Sequence, residues 1–273
     1  MPEGHTIHRL AREQQRLFGG QPVRVSSPQG RFSEGAKILD GRVLTRTQAI
    51  GKHLLQHYKG APALHIHLGL YGKFATGTGR PPAPVGALRL RLTAGSGAWT
   101  DLRGPTACEL IEPAEIATLI ARLGPDPLRP DSDPLRALHR IGRSKTPIGA
   151  LLMDQQVVAG IGNVYRAELL YRHLIDPYLP CQQLSAESWL AMWADLVTLM
   201  RAGVRTGRIE TVRAQHRPRK RGPLARDEAG YVYRRAGLPC RVCGTEIRTE
   251  KLVGRNLFWC PSCQPPGSRG VLG

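Results

Sequence analysis

The chain has 273 residues, 41% of them hydrophobic, and a formal net charge of +18 at pH 7. This length suits two domains, and the apolar share is enough for a packed core, which excludes a wholly disordered chain. The chain contains neither an apolar run long enough to cross a bilayer nor a basic-then-apolar leader. We therefore expect an intracellular, cytoplasmic protein with no membrane partner, and the charge favours a polyanion such as nucleic acid.

The first part of the chain predicts one helix followed by short strands. Apolar residues lie roughly on one helical face over 3–18, and Gly19 and Gly20 end that segment. Alternating or extended patterns predict three strands, at 52–58, 63–70 and 87–92. One helix before many short strands predicts an N-terminal β-sandwich with an N-terminal helix, and we assign it to residues 1–130.

The second part predicts helices and then a small module rich in cysteine. A segment dense in proline and aspartate, 124–134, has the composition of a linker. Helical periodicity predicts four helices, at 134–141, 146–155, 163–174 and 186–203. The arginine-rich stretch 213–226 predicts a loop. We therefore expect a helical domain at 131–229, a cysteine module at 230–264 and a tail at 265–273.

Four of the six cysteines occur as two pairs with two residues between the members of each pair: Cys240, Cys243, Cys260 and Cys263. The 16 residues between the pairs fall within the range of a four-cysteine zinc site. Two disulfides are the alternative, but no secretory signal indicates an oxidising compartment. Four thiolates complete a tetrahedron and leave no open position, so the sequence predicts a structural rather than a catalytic zinc.

The opening Met1-Pro2-Glu3-Gly4 suggests a nucleophile. A small second residue permits removal of the initiator methionine, which would expose the secondary amine of Pro2. An α-amino group has a pKa of about 8, so a useful fraction is unprotonated at neutral pH. Such an amine can attack a sugar carbon and form a Schiff base, and Glu3 beside it could move protons. Many proteins begin with Met-Pro by chance, so this motif alone is a weak signal.

A glycine-bearing turn separates two of the predicted helices. Gly160 and Gly162 let backbone approach a partner closely, and Asn163 begins the following helix. A helix N-terminus with a short polar cap is a natural phosphate site. The alternative is an ordinary tight turn between helices that the asparagine caps.

Together these segments resemble the formamidopyrimidine-DNA glycosylase / endonuclease VIII family, from residue 2 to residue 264. The resemblance rests on the order of four motifs: Pro2-Glu3-Gly4, Gly51-Lys52, Asp154-Gln-Gln-Val-Val-Ala-Gly-Ile-Gly-Asn-Val-Tyr165 and Gly254-Arg-Asn-Leu-Phe-Trp-Cys-Pro-Ser-Cys-Gln264. The segment His67-Leu-Gly-Leu-Tyr-Gly72 and the Phe258-Trp-Cys-Pro ending are more similar to the endonuclease VIII branch. The resemblance implies a helix–two-turn–helix DNA-binding domain at 131–229 and a zinc-finger β-hairpin at 230–264.

The resemblance also implies roles for individual residues. Pro2 would be the nucleophile and Glu3 the proton-transferring acid, while Lys52 and Arg255 would act at the phosphates of the damaged nucleotide. Asn163, with Gly160 and Gly162, would bind phosphate in the helix–two-turn–helix motif. Three further residues would contact DNA where the nucleotide is flipped out: Leu70 and Tyr71 as a wedge, and Arg103 toward the opposite strand. For the wedge residues the competing interpretation is core packing. For Lys52 and Arg255 it is solvated surface charge.

The implied reaction is base-excision repair of damaged DNA by a monomeric glycosylase with abasic-site lyase activity, in a bacterial protein associated with the nucleoid. Pro2 would displace the base, and β,δ-elimination would then remove both phosphates. The wedge and finger motifs favour oxidised pyrimidines over oxidised purines. Duplex DNA is the expected substrate, with single-stranded or bubble DNA left open.

Two departures from the family pattern bear on selectivity. His5 and Thr6 stand where family members often have proline and glutamate, which puts base selectivity or the proton route in doubt. Leu257 replaces a threonine of the formamidopyrimidine type, in keeping with the endonuclease VIII branch.

Two rival hypotheses stay open at this point. One is a non-catalytic protein of the same fold that only recognises damaged DNA, which the joint presence of Pro2, Glu3, Lys52 and Arg255 disfavours. The other is a zinc-ribbon protein that binds RNA, which leaves the N-terminal proline unexplained.

Overall fold

A computed structural model describes residues 2–219 and 221–270, in two compact units that divide between Arg122 and Leu123. The predicted division into four parts, with boundaries at 130, 229 and 264, is finer and stays a prediction. Within the described residues, no helix combines the length and the apolar character that crossing a membrane requires.

The first unit contains three helices and eight strands. The helices are α1 (Gly4–Phe18), α2 (Ser33–Leu39) and α3 (Pro113–Arg122). The strands are β1 (Val23–Ser26), β2 (Leu44–Ile50), β3 (His53–Tyr58), β4 (Ala63–His67), β5 (Lys73–Thr78), β6 (Leu88–Ala94), β7 (Ala98–Arg103) and β8 (Ala107–Ile111). They form two four-stranded antiparallel sheets, in the orders β1-β6-β7-β5 and β2-β3-β4-β8.

One apolar core joins both sheets to the first helix. It includes Leu90 and Leu102 of one sheet, Leu54 and Ile66 of the other, and Ile7 of α1. Burying such side chains stabilises the unit by roughly 1.5–3 kcal/mol each. The predicted β-sandwich with an N-terminal helix is therefore confirmed, and α1 is held with its first turn against the core.

The second unit contains four α-helices and one hairpin among its described residues. They are α4 (Pro134–Ile141), α5 (Ile148–Leu151), α6 (Asn163–Arg172), α7 (Ala186–Thr206), β9 (Arg248–Leu252) and β10 (Arg255–Trp259). One apolar cluster lies among the helices, and a second lies between α6 and the cysteine module. The predicted helical domain and zinc-finger hairpin are thus present.

Several predicted boundaries differ from the structure. The strand expected over 63–70 ends at His67, which leaves Leu70 in a turn. The helix expected over 146–155 shortens to Ile148–Leu151, because Asp154 Oδ1 accepts the Gln156 N–H at 2.8 Å and turns the chain. The helices α2 and α3 were not predicted.

Candidate active site

The predicted nucleophile and acid lie at the start of α1. Glu3 immediately precedes the helix, and its side chain is fully buried. Its carbonyl accepts the Thr6 N–H at 2.9 Å, which fixes the first helical turn. Pro2 is partly buried beside it. Because Ile7 anchors the helix in the core, a buried carboxyl group is placed next to the candidate amine.

His5 takes the place where the family often has proline, and it is also buried. Burial lowers its pKa to about 4, so its imidazole is neutral at physiological pH. Its Nε2 lies 3.3 Å from the hydroxyl oxygen of Thr6. A neutral imidazole can both accept and donate a proton, so the first turn of α1 keeps a proton-transferring group although position 6 has no carboxylate.

Lys52 lies in the turn between β2 and β3, next to a chain of histidines that the sequence analysis missed. His53 Nδ1 and His65 Nε2 are 2.9 Å apart, and His65 Nδ1 is 2.9 Å from Glu109 Oε1. Because a carboxylate accepts, His65 Nδ1 carries the hydrogen, and its Nε2 then accepts from His53. The His53 and His67 rings lie 4.9 Å apart. The available signal was the spacing of His65 and His67, which are two residues apart and therefore lie on the same face of β4.

Two histidines of this cluster, His53 and His67, have lowered pKa values. Burial, reinforced by the other histidines, Arg122 and Lys52, lowers the pKa of His53 to about 3. Burial also lowers the pKa of His67, with His65 and Lys52 as further causes. The imidazoles of His53 and His67 near Lys52 are therefore uncharged at pH 7, and they can hydrogen-bond without competing for an anion.

Leu70 and Tyr71 lie in the turn between β4 and β5. Leu70 is 40% exposed and Tyr71 is 85% exposed, so neither side chain packs in the core. The turn requires Gly69, whose φ is +64° and where an added Cβ would lie 1.9 Å from the Thr106 hydroxyl. Two apolar side chains are thus presented to solvent from a sterically fixed turn, as a wedge requires.

Arg103 is the last residue of β7, and a buried carboxylate restrains it. Its Nη2 lies 3.2 Å from Asp101 Oδ2. Asp101 is fully buried and also accepts two hydrogen bonds from Arg91, at 2.7 and 2.8 Å. The side chain of Arg103 is 23% exposed, so its guanidinium is oriented by protein contacts and still reaches the surface.

Asn163 and the zinc-finger hairpin are connected by direct hydrogen bonds. Asn163 is the first residue of α6, and Gly162 rather than the asparagine occupies the cap position. Asn163 Nδ2 donates to the carbonyl of Asn256 at 2.9 Å, and its Oδ1 accepts from Arg166 Nη2. The same Nη2 donates to the Asn256 carbonyl at 3.1 Å. The buried Arg166 therefore links the start of α6 to β10.

The glycine turn before α6 is fixed by one glutamine. Gln155 Oε1 accepts the Gly160 N–H at 2.9 Å, and its Nε2 donates to the Ile161 carbonyl at 3.0 Å. Gly160 has φ +93°, a conformation that residues with a Cβ rarely adopt. Gly160 and Gly162 therefore set the conformation of the turn that precedes Asn163. The Gly160 N–H already has its hydrogen-bond partner within the protein.

Arg255 begins β10 directly after the hairpin turn, where it pairs with Leu252. It is partly exposed. The neighbouring residue, Asn256, carries the carbonyl that accepts from Asn163 and Arg166. The two predicted phosphate-binding residues are therefore connected, because Asn163 donates to Asn256 and Arg255 is the residue before it.

The four paired cysteines converge, with their sulfur atoms all within 4.8 Å of one another. Sγ of Cys240 and Sγ of Cys263 are 3.9 Å apart, and those of Cys243 and Cys260 are 3.4 Å apart. A tetrahedral zinc with Zn–S bonds of about 2.3 Å requires sulfurs about 3.8 Å apart. The donor set and spacing therefore fit a structural zinc, which confirms that prediction.

Comparison with known proteins agrees with this architecture. Three family models match the chain: the formamidopyrimidine-DNA glycosylase N-terminal domain over residues 1–108, the formamidopyrimidine-DNA glycosylase H2TH domain over 123–215, and the zinc finger found in FPG and IleRS over 237–266. A solved complex of the Lactococcus lactis Fpg with abasic-site DNA has the same fold, with a TM-score of 0.77 and 23% identity over 96% of this chain and 99% of that chain.

These features define a base-excision DNA glycosylase with abasic-site lyase activity and a structural zinc. The chain belongs to the formamidopyrimidine-DNA glycosylase / endonuclease VIII family. It is 56% identical to Endonuclease 8 1 of Mycobacterium tuberculosis, over 97% of this chain and 100% of that protein. Identity to the formamidopyrimidine-DNA glycosylase of Thermomicrobium roseum is 31%, over 84% of this chain and 78% of that protein. The predicted closeness to the endonuclease VIII branch is confirmed.

Proposed function

We propose that the chain excises oxidised pyrimidines from DNA with the secondary amine of Pro2 as nucleophile. The observation that carries this proposal is the fully buried Glu3 carboxyl group beside Pro2 at the start of α1. A buried carboxyl group next to an amine can take up and return protons during the reaction. The preference for pyrimidines is supported by the 56% identity to Endonuclease 8 1.

The bond changes follow from the chemistry of a secondary amine. Pro2 nitrogen attacks C1′ of the flipped nucleotide, the glycosidic bond to the base breaks, and the proton that Pro2 nitrogen loses balances the one that the departing base takes up. Protonation of O4′ then opens the sugar ring and gives an iminium ion, which has no N–H proton to lose and therefore draws electrons from C2′. Loss of a C2′ proton then expels the 3′-phosphate, and a second elimination expels the 5′-phosphate. Glu3 and His5 are the nearest candidates to carry these protons.

The remaining predicted residues would hold the DNA. Lys52, Asn163 and Arg255 would bind phosphates that flank the damaged nucleotide, and cationic or amide donors suit phosphate oxygens. Asn163 Nδ2 has two hydrogens and donates one to the Asn256 carbonyl, so its second hydrogen would bind a phosphate oxygen.

The exposed turn would keep the duplex open. Leu70 and Tyr71 would fill the space that the flipped nucleotide leaves, and Arg103 would contact the opposite strand. We further propose that the chain acts as a monomer on cellular DNA, within the cytoplasm and at the nucleoid. The arginine-rich stretch 213–226 would follow the phosphate backbone, so binding should weaken steeply with salt.

Borohydride trapping tests the nucleophile directly. The zinc-loaded protein is incubated with an oligonucleotide that carries one abasic site, reduced, and analysed by gel for a covalent adduct. We expect an adduct with the wild type and a strongly reduced adduct with Pro2→Gly and with a form that retains Met1. Binding without any adduct in the folded wild type would favour a protein that only recognises damage.

Substrate preference needs a separate measurement. We expect faster strand cleavage at thymine glycol or 5-hydroxycytosine than at 8-oxoguanine in otherwise identical duplexes. The reverse order would assign the chain to oxidised purines while leaving the Pro2 chemistry intact.

A further inference from the structure

A tyrosine hydroxyl lies beside two of the four zinc-site sulfurs. Tyr171 Oη is 3.1 Å from Sγ of Cys240 and 3.8 Å from Sγ of Cys263. Only 3% of Tyr171 is exposed, so water competes little for this hydroxyl. A buried phenol requires a hydrogen-bond partner, and here the hydroxyl lies within hydrogen-bond distance of two sulfurs of the metal site.

The strength of this contact depends on the charge of the sulfurs. Cysteines that bind zinc are thiolates, and four thiolates around one Zn²⁺ leave a net charge of about −2. A hydrogen bond to an anionic acceptor is stronger than one to a neutral acceptor, and it stabilises the buried charge. We propose that Tyr171 is a positioning residue of the zinc site. Its single O–H donates chiefly to the thiolate of Cys240, with the thiolate of Cys263 as a second, longer acceptor, and it thereby slows zinc loss and chemical attack at these two sulfurs.

The ring of Tyr171 is held in place independently of the sulfurs. It stacks on Tyr231, with centroids 4.6 Å apart and planes inclined by 26°. Three residues earlier on α6, the buried Glu168 carboxylate accepts the backbone N–H of Tyr231 at 2.7 Å and those of Val232 and Tyr233 at 2.9 and 2.8 Å. The helix thus fixes the chain that leads into the cysteine module, and the hydroxyl is preorganised rather than recruited by zinc.

The other hydrogen bonds at the site fall differently, and the Thr245 side chain and backbone both hydrogen-bond to Cys243. Cys260 Sγ is 3.5 Å from the Cys263 N–H, and Cys240 Sγ is 3.5 Å from the Val242 N–H. Cys243 is exposed to solvent. The tyrosine contact therefore distinguishes Cys240 and Cys263 from Cys243 and Cys260. The proposal can thus be tested by measuring the reactivity of each cysteine separately. The proposal concerns the metal site and does not depend on the DNA chemistry proposed above.

Zinc affinity is the first test. Tyr171→Phe keeps the ring and the stack but removes the donor, and loss of a hydrogen bond to a metal ligand typically weakens binding by about 10-fold or more. We expect zinc to be transferred about 10-fold more readily from the variant than from the wild type to a chromophoric chelator. Tyr231→Phe is the matched control, because its hydroxyl contacts Arg213 and His216 rather than sulfur. An affinity for Tyr171→Phe within twofold of wild type would overturn the proposal.

Selective alkylation is the second test, and it does not depend on overall stability. The zinc-loaded proteins are treated briefly with iodoacetamide at single-hit levels, and each cysteine is quantified by peptide mass spectrometry. In Tyr171→Phe we expect faster first alkylation at Cys240 and Cys263 relative to Cys243 and Cys260. Equal acceleration at all four cysteines would indicate general loosening of the finger and would overturn the specific role.

Discussion

The turn at Leu70 and Tyr71 and the helix start at Asn163 were both predicted to contact DNA, but they are built in opposite ways. Tyr71 is 85% exposed, whereas Asn163 is 6% exposed and has both ends of its side-chain amide bonded within the protein. An exposed side chain is available for insertion at little cost to the fold. A buried one places a site accurately, but its substitution disturbs folding and binding together. The two regions should therefore respond differently to mutation.

The strongest test of this contrast is Arg166→Met. Loss of the guanidinium leaves Asn163 Oδ1 and the Gly149 carbonyl without their buried donor, which should lower the free energy of unfolding by roughly 3 kcal/mol. Urea denaturation monitored by tryptophan fluorescence measures this loss. Arg201→Met is the control, because Arg201 is an exposed residue of α7 and its substitution should cost less than about 0.5 kcal/mol. A loss below about 1 kcal/mol for Arg166→Met would mean that the buried link contributes little.

Gly69 fixes the conformation of the exposed turn, and Gly69→Ala tests how much this residue contributes to stability. The positive φ and the 1.9 Å approach to Thr106 should together destabilise the first unit by roughly 2 kcal/mol. Gly79→Ala is the matched control, since Gly79 also has a positive φ but has no atom within 4 Å of an added Cβ. We expect Gly79→Ala to cost about 1 kcal/mol. Equal losses would show that the contact with Thr106 is easily relieved.

Tyr71→Ala should separate binding from stability. We expect affinity for abasic-site duplex to fall by about 10-fold, because base–aromatic stacking is worth roughly 1–3 kcal/mol. The midpoint of thermal unfolding should be unchanged, since the Tyr71 side chain is not buried in the core. Fluorescence anisotropy measures the affinity, and calorimetry measures the thermal unfolding. Val85→Ala, at another exposed apolar residue of the same unit, should alter neither, and a matching loss of affinity there would remove the assignment of the wedge.

The last prediction is a dependence of the stability of the first unit on pH. The pKa values of His5 and His53 are lowered to about 4 and about 3, chiefly by burial. The unfolded chain therefore binds more protons below pH 6.5, and stability is complete above that pH and falls as the pH drops toward 4. Thermal unfolding at pH 7.5 and 5 measures the fall. His53→Gln should reduce this fall in stability, and identical falls in the wild type and the variant would contradict the assignment to His53.

Local patterns predicted the features that depend on neighbouring residues. The cysteine spacing gave the metal site, and the apolar periodicity gave α1 and α6 to within two residues. The strand at 63–70 was drawn too long because alternation continues past His67, while the turn at Gly69 depends on a backbone angle that composition does not reveal.

Contacts between distant parts of the chain were beyond such patterns. The Asn163–Asn256 bond joins residues 93 positions apart, and no periodicity relates a helix start to a hairpin. The histidine chain needs the register of β3, β4 and β8, which brings His65 opposite Glu109. Pairing of strands is set by packing over the whole sheet, so only the alternation within β4 was visible beforehand.

The burial of α6 has a consequence for how the second unit opens. Eight of its ten residues are buried, namely Asn163, Tyr165, Arg166, Ala167, Glu168, Leu169, Leu170 and Tyr171. A helix with so little solvent-facing surface cannot unwind by itself without opening the structures on both sides of it. Its backbone amides should therefore exchange with deuterium only through global unfolding of the unit, and they should be among its slowest. The exchange rate of α6 would therefore measure the global stability of the second unit.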